Sequence, residues 1–102
     1  MPAHIYISKL YTPDSPEIKE LVAEFSEKGY RLELEEDKEE EVKFIRLVKD
    51  ENHRITLVFM FIGIDKIYTL HYVEIMALYE SEYKELIEEI KRKLRIYSIG
   101  WI

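Results

Sequence analysis

The sequence predicts an α+β domain with about six mostly antiparallel or mixed strands and two helices, in the order β-α-β-β-β-β-α-β. Two segments repeat apolar residues at the spacing of an amphipathic helix, while the segments around them alternate or run apolar as strands do. The length of 102 residues is typical of one domain, and no linker composition interrupts it. We therefore expect residues 1–102 to form a single domain.

A strand over residues 3–10 and a helix after it are predicted at the start of the chain. The strand alternates in polarity, and a turn containing Pro13 follows. Ser15 is a favourable N-cap, Pro16 suits the first helical position, and Gly29 stands where a helix C-cap is expected. The apolar stripe of this helix consists of Ile18, Leu21, Val22 and Phe25.

Four strands are predicted in the middle of the chain. Residues 30–35 alternate between apolar and charged side chains, and residues 35–41 are expected to form a solvated acidic loop. Residues 42–49 and 54–62 form a hairpin, and a strand from about residue 67 to residue 78 follows the next turn. The strand at 54–62 is apolar on both faces, which indicates burial.

The second helix is predicted to begin at an N-cap formed by Ser81. Basic residues at its end complement the negative end of the helix dipole. A strand over residues 95–101 closes the chain. The apolar stripe of this helix consists of Tyr83, Leu86, Ile87, Ile90 and Leu94.

An internal repeat is suggested by two short similarities, with copies at approximately residues 3–49 and 54–102. Ile7, Leu10 and Tyr11 recur in order as Ile75, Leu78 and Tyr79, and a Lys-Glu-Leu triplet recurs in the two helices. Two strand-helix-strand motifs related by internal pseudo-symmetry would explain this. The alternative is that two helices rich in Glu, Lys and Leu look alike by chance.

Composition argues against catalysis. Cysteine is absent, which excludes thiolate nucleophiles and Cys-ligated zinc. His4, His53 and His71 stand at no zinc-ligand spacing, and the serines and glycines form no nucleophile elbow or phosphate loop. We therefore predict no enzyme activity, no cofactor and no metal.

The apolar segments predict neither a membrane protein nor a secreted one. The longest apolar run, residues 55–64, is about half of the ~20 residues that a membrane helix needs. The first residues lack the basic start and apolar stretch of a signal peptide. An intracellular protein that contacts no membrane is expected.

The aromatic content is the main indication of function. Eight tyrosines, four phenylalanines and one tryptophan suit wet protein interfaces as well as strands. If both helices cover one face of the sheet, the other face needs a cover, either the second repeat or another chain. The strand at 54–62 would present one of two sets to that face: Ile55, Leu57, Phe59 and Phe61, or Thr56, Val58, Met60 and Ile62.

The leading hypothesis is a protein-protein interaction module. An extended peptide would lie in a groove between the two motifs or pair with an exposed strand edge, with main-chain hydrogen bonds supplying affinity. Aromatic pockets would supply selectivity. The residues predicted to form them are Tyr72, Tyr79, Tyr97 and Trp101.

Two alternatives remain open. A nucleic-acid-associated regulator would use Lys91, Arg92 and Arg95 beside Trp101, although a net charge of −6 disfavours contact with a phosphate backbone. A homo-oligomer, such as a homodimer, would instead join copies through the uncovered sheet face or an edge strand.

The composition also suggests a setting. Cysteine and glutamine are absent and Ile, Tyr, Glu and Lys are abundant, a bias expected of a hyperthermophilic source. From residues 1–6 to residues 98–102, the chain resembles the small orphan proteins of filamentous viruses that infect hyperthermophilic archaea such as Acidianus. The resemblance implies the cytoplasm of an infected archaeal cell, and it contains no functional motif.

Overall fold

A six-stranded sheet with two helices forms the protein, as described by a computed structural model for residues 2–7 and 9–101. The order of elements along the chain confirms the predicted α+β class. Met1, Ser8 and Ile102 lie outside the described residues. The elements are β1 (Ala3–Ile7), α1 (Pro16–Glu27), β2 (Arg31–Asp37), β3 (Val42–Asp50), β4 (His53–Ile62), β5 (Ile67–Met76), α2 (Glu80–Lys91) and β6 (Ile96–Trp101).

The sheet has the strand order β2-β3-β4-β5-β1-β6, and each neighbouring pair is antiparallel. Helix α1 joins the parallel strands β1 and β2 with three strands between them, whereas α2 joins the parallel strands β5 and β6 across β1 alone. Both units are split β-α-β motifs. Because they enclose different numbers of strands, the predicted pseudo-symmetry is not confirmed, and the repeat stays a prediction.

Both helices pack on the same face of the sheet. From β4, Ile55, Leu57 and Phe59 are fully buried in the core that the helices cover. The side chains between them, such as Thr56 and Val58, lie on the other face because strand side chains alternate. Of the two sets of β4 side chains that the sequence left open, the one with Thr56 and Val58 therefore lies on the face away from the helices. The helical residues of the core are Ile18, Leu21, Phe25, Tyr83, Leu86, Ile87 and Ile90.

The end of α1 is a Schellman motif, as the position of Gly29 predicts. Gly29 has a φ of 92°, and its N–H donates to the carbonyl of Ser26 at 3.1 Å. The N–H of Tyr30 donates to the carbonyl of Phe25 at 3.0 Å. The rings of Phe25 and Tyr30 meet edge to face with centroids 5.2 Å apart. The turn therefore redirects the chain from the C-terminus of α1 into β2.

The starts of the helices depart from prediction. Ser15 is the N-cap residue of α1, but its Oγ accepts a hydrogen bond from the Thr12 backbone at 2.8 Å. The predicted cap at Ser81 is wrong, because α2 begins at Glu80 with Tyr79 as its N-cap residue. The Glu82 carboxylate accepts the Tyr79 N–H at 2.9 Å, which allows the helix to begin earlier.

Several strand ends also differ from the predicted bounds. β2 continues to Asp37, so residues 35–37 belong to the strand and the acidic loop is residues 38–41. The Oδ1 atom of Asp37 closes this loop by accepting N–H bonds from Glu39 and Glu40, each at 3.1 Å. β5 ends at Met76, and β1 ends at Ile7. Long-range pairing with β3 extends β2 despite its four acidic residues.

Candidate interaction surface

β6 forms one edge of the sheet and contains no charged residue. Its inner side pairs with β1, where Ile5 stands opposite Ile99 and Ala3 opposite Trp101. No described strand pairs with its outer side. Tyr97 is 78% exposed, Ile99 41% and Trp101 51%. An uncharged edge strand with exposed apolar side chains is a template for pairing with another strand.

β6 is supported on both of its faces. On the helix side, the Trp101 indole meets the Tyr83 ring edge to face at a centroid distance of 5.4 Å. Tyr83 is buried and donates its hydroxyl hydrogen to the Ala77 carbonyl at 3.1 Å, which holds its ring in place. On the other side, the Tyr6 ring lies 3.4 Å from where a Cβ of Gly100 would stand. These contacts leave the outer edge of β6 open.

β2 forms the opposite edge, and it is protected by charge. All seven of its residues are exposed, including Leu34 at 72%. Glu33 accepts a hydrogen bond from Arg31 at 3.0 Å, and Glu35 is paired with Arg46 of β3. Charged side chains along an edge discourage pairing with another chain. The two edges therefore differ in their capacity to accept a strand.

The four residues predicted to form one pocket do not converge. Tyr72 lies on the face of β5 that the helices leave uncovered, where its ring stacks on His4 with centroids 5.0 Å apart. Tyr79 precedes α2 and is 64% exposed. Trp101 contacts Tyr83 of α2, and it therefore lies on the opposite face of the sheet from Tyr72. Among the four, Tyr97 and Trp101 share an element, the edge strand β6.

The uncovered face of the sheet is occupied by polar and aromatic pairs across neighbouring strands. His4 Nε2 lies 2.8 Å from Glu74 Oε2, and the Tyr6 and Tyr72 rings lie 6.2 Å apart. Burial, followed by the charge of Glu74, raises the pKa of Tyr72. These pairs lie on β1 and β5 and make that part of the face polar and aromatic instead of purely apolar.

A concavity of 210 Å³ lies on this face over β4. Thr56 and Val58 form part of its lining, with longer side chains from β3 and β5 beside them. Arg54 at one end donates to the Met76 sulfur at 3.2 Å. The remaining lining residues are Phe44, Arg46, Tyr72 and Glu74.

The basic end of α2 is interleaved with acidic side chains. Lys91 lies 3.7 Å from Glu88, and Arg92 shares a shallow depression with Glu88 and Glu89. Arg95 follows α2 and is exposed. Because carboxylates lie among the cations, the structure does not gather Lys91, Arg92 and Arg95 into a basic patch.

His53 lies between two carboxylates at the other end of α2. Its Nδ1 is 2.8 Å from Asp50 Oδ1, and its Nε2 is 2.5 Å from Glu82 Oε2. The hydrogen bond to Asp50, and then that to Glu82, raises the pKa of His53. The His53 hydrogen bond, followed by that of the Asn52 N–H, lowers the pKa of Asp50. The ring therefore ties the β3–β4 turn to the first turn of α2.

A cleft of 440 Å³ lies beside His53. Lys28 at the end of α1 is paired with Glu89 of α2 across it. Burial, followed by the charges of Glu82 and Glu89, raises the pKa of Tyr30 in the same cleft. Opposite charges that face one another in this way brace α1, α2 and the β3–β4 turn.

No family model, curated protein or solved structure matches this chain. Within residues 2–7 and 9–101, His, Asp and Glu form no group of three that could hold a metal ion. No helix of the described residues is long and apolar enough to cross a membrane. The inference of function therefore depends on the geometry of the surfaces.

Two features of these surfaces were missed by the sequence reasoning. The pairing of His53 with Glu82 joins residues 29 positions apart, and no local pattern indicates it. Ile99 was not singled out because its exposure depends on β6 lying at an edge. Residues 96–101 contain no charged residue, but this absence of charge indicates an interface only once β6 is known to be an edge.

Proposed function

We propose that the protein is a protein-protein interaction module that adds an extended segment of a partner to the outer side of β6. The uncharged edge of β6, with Tyr97, Ile99 and Trp101 exposed along it, is the observation that supports this most. A sheet edge supplies a row of backbone donors and acceptors that an extended chain can satisfy. Binding rather than catalysis is also favoured by the lack of a catalytic motif in the sequence.

Affinity and selectivity would come from different parts of β6. Alternate residues of an edge strand direct their N–H and C=O groups outwards, and these would bond the main chain of the partner. Ile99 and Trp101 would contact apolar side chains of the added strand on the helix side of the sheet. Segments with alternating apolar residues and little charge are therefore the expected ligands.

The proposed setting is the cytoplasm of an infected archaeal cell. The resemblance to small proteins of archaeal viruses supports it, as does the lack of cysteine and glutamine. Either a host or a viral protein could supply the extended segment.

Selection of random peptides displayed on phage, with the purified chain as target, would test the proposal. We expect the selected peptides to perturb the amide NMR signals of β6, and Tyr97→Lys to weaken their binding. Leu34→Lys is the matched control, because Leu34 is similarly exposed at 72% on the opposite edge. Peptides that bind both variants equally, or that perturb β2 instead of β6, would show that the proposed surface is wrong.

A further inference from the structure

We infer that the strand added to β6 is β6 of a second copy of this chain, so that two six-stranded sheets join into one continuous sheet of a symmetric dimer. The inference rests on the proposed function, because it names the partner that the edge accepts. Charge distribution and core packing support it separately, and symmetry restricts its register.

Charge favours β6 as the edge at which two copies meet. Each chain has a net charge of −6, so two copies repel each other at most orientations. The acidic strand β2 is the opposite edge of the sheet, about 24 Å from β6 at about 4.8 Å per strand. In a β6–β6 dimer the two β2 edges would lie about 50 Å apart, far beyond the Debye length of about 8 Å. Contact through β6 therefore keeps the two acidic β2 edges apart.

Symmetry restricts the register of such a pair. Opposite residues in an antiparallel pair alternate between hydrogen-bonded and non-hydrogen-bonded positions. If the two-fold axis lay between two neighbouring residue pairs, it would relate a hydrogen-bonded pair to a non-hydrogen-bonded pair, which is impossible. The axis must therefore lie midway between two copies of the same residue that stand directly opposite each other. Near the middle of β6 this residue is either Ser98 or Ile99.

The register through Ile99 has the better side-chain pairing. It places Tyr97 opposite Trp101 of the second copy, and aromatic pairs across strands stabilise a sheet. It also keeps residues 98–101, which pair regularly with β1, at the centre of the contact. The register through Ser98 would instead place Trp101 opposite Arg95, which lies outside β6.

The dimer would extend the core across the two-fold axis. Ile99 stands opposite the buried Ile5, and Trp101 contacts the buried Tyr83 of α2. Both exposed side chains thus border the core at its edge. A second β6 would cover Ile99 with its own counterpart and Trp101 with Tyr97 of that copy. A two-fold axis perpendicular to the sheet would keep the helices of both copies on one side.

Pairing of β6 with β2 of another copy is the competing arrangement. It would be head-to-tail and would not close, which leads to filaments. It would also place the carboxylates of Glu33 and Glu35 beside an apolar strand, where they would lose hydration. The closed dimer avoids both consequences.

Sedimentation velocity of the full chain from about 1 µM to about 200 µM would measure the association. We expect the mass to rise from 12.4 kDa towards twice that value. Ile99→Lys should raise the dissociation constant at least about tenfold, because two like charges would oppose each other at the axis. Leu34→Lys should leave it unchanged, and circular dichroism would establish that both variants are folded.

A cross-link would test the register without relying on a disruptive change. The chain has no cysteine, so Ile99→Cys introduces a single thiol. Residues at the axis have Cα atoms about 4.5–5.5 Å apart, a separation that a disulfide spans. We expect covalent dimers of Ile99→Cys under mild oxidation, and none at the same rate for Leu34→Cys.

The outcomes separate this inference from the proposed function. A monomer at every concentration that still binds extended peptides at β6 would overturn the dimer and leave the interaction module. A monomer that binds no peptide would overturn both. Species that grow beyond the dimer, or a dimer unaffected by Ile99→Lys and not cross-linked through Ile99→Cys, would also overturn the symmetric β6 contact.

Discussion

The Nε2 atom of His53 lies 2.5 Å from Oε2 of Glu82, which is 29 residues further along the chain. The other oxygen of the same carboxylate accepts the backbone N–H of Tyr79 at 2.9 Å. Glu82 therefore serves both the N-terminus of α2 and the β3–β4 turn. Asp50 binds the second nitrogen of the ring, so the imidazole connects two carboxylates when it is protonated.

The stability of the protein should depend on the protonation of His53. The folded state holds the pKa of His53 above its ordinary value of 6.5, chiefly through Asp50 and then Glu82. The contribution of a group with a raised pKa is complete below pH 6.5 and is lost as the pH rises through the folded pKa. We therefore expect the free energy of unfolding in urea to fall across this interval.

His53→Gln is the matched variant for this dependence. The Gln amide keeps hydrogen-bonding capacity without a titrating charge. The difference in unfolding free energy between the unchanged protein and His53→Gln should therefore shrink as the pH rises. Asp50 and Glu82 also titrate, but only at acidic pH, because both of their pKa values are lowered. A difference that stays constant from slightly acidic to alkaline pH would contradict the predicted contribution of His53.

Gly29→Ala should destabilise the protein by about 1–2 kcal/mol, the usual cost of left-handed backbone for a residue with a Cβ. The cost would come from the backbone alone, because no described atom beyond Gly29 and its two chain neighbours lies within 4 Å of where a Cβ would stand. Urea unfolding would measure it. Gly63→Ala is the control, since Gly63 lacks a positive φ and its added Cβ would meet the Phe61 ring at 3.9 Å. Equal effects at the two glycines would contradict the assignment.

Lys93→Met should destabilise the protein most at low ionic strength. Lys93 Nζ lies 3.1 Å from Glu20 and 3.6 Å from Glu24, so it joins the end of α2 to α1. The hydrogen bond to Glu20 is the largest cause of the raised pKa of Lys93. Because salt screens exposed ion pairs, the loss of stability caused by Lys93→Met, measured by thermal unfolding, should shrink as the salt concentration rises towards about 1 M.

Lys91→Met provides the comparison, because Lys91 faces Glu88 of its own helix at 3.7 Å. Its effect should be smaller at every salt concentration, since no second element is held by that pair. A loss at Lys93 that does not change with salt would indicate packing of its aliphatic stem instead of charge.

Nucleic acid should bind weakly at physiological ionic strength. Glu88 and Glu89 lie among the cations at the end of α2, and the whole chain has a net charge of −6. Fluorescence anisotropy with labelled single-stranded DNA and RNA would measure the affinity. The regulator hypothesis would be supported by saturable binding that falls steeply with salt and is lost when Lys91, Arg92 and Arg95 are replaced by Gln.

Local patterns predicted the helices well because the relevant interactions lie within a few residues. In the apolar stripe of α1, Ile18, Leu21 and Phe25 are buried and Val22 is partly buried, and Gly29 ends the helix as its position indicates. The start of α2 was misplaced because the choice between Ser81 and Tyr79 depends on the orientation of the Glu82 side chain. β2 was predicted too short because its acidic residues are held in the strand by β3.

The predicted pocket shows where local reasoning ends. Tyr72 and Trp101 are both aromatic residues of strands, yet they lie on opposite faces of the sheet. The face of each residue depends on the register between β1 and its two neighbours, which joins distant parts of the chain. The sequence contains no short-range signal of that register.

The sequence alone determined the fold class, the number and order of the elements, the core face of each helix and the acidic balance of the chain, because periodicity, capping and charge are local properties. The tertiary structure decided that β6 and β2 are the edges, that Tyr72 and Trp101 are separated, and that His53 meets Glu82. These outcomes depend on which strands pair, and strand pairing is set by burial of the whole sheet against both helices. The same uncharged residues 96–101 would have been an ordinary inner strand in another strand order, and their position at the edge makes them a candidate interface.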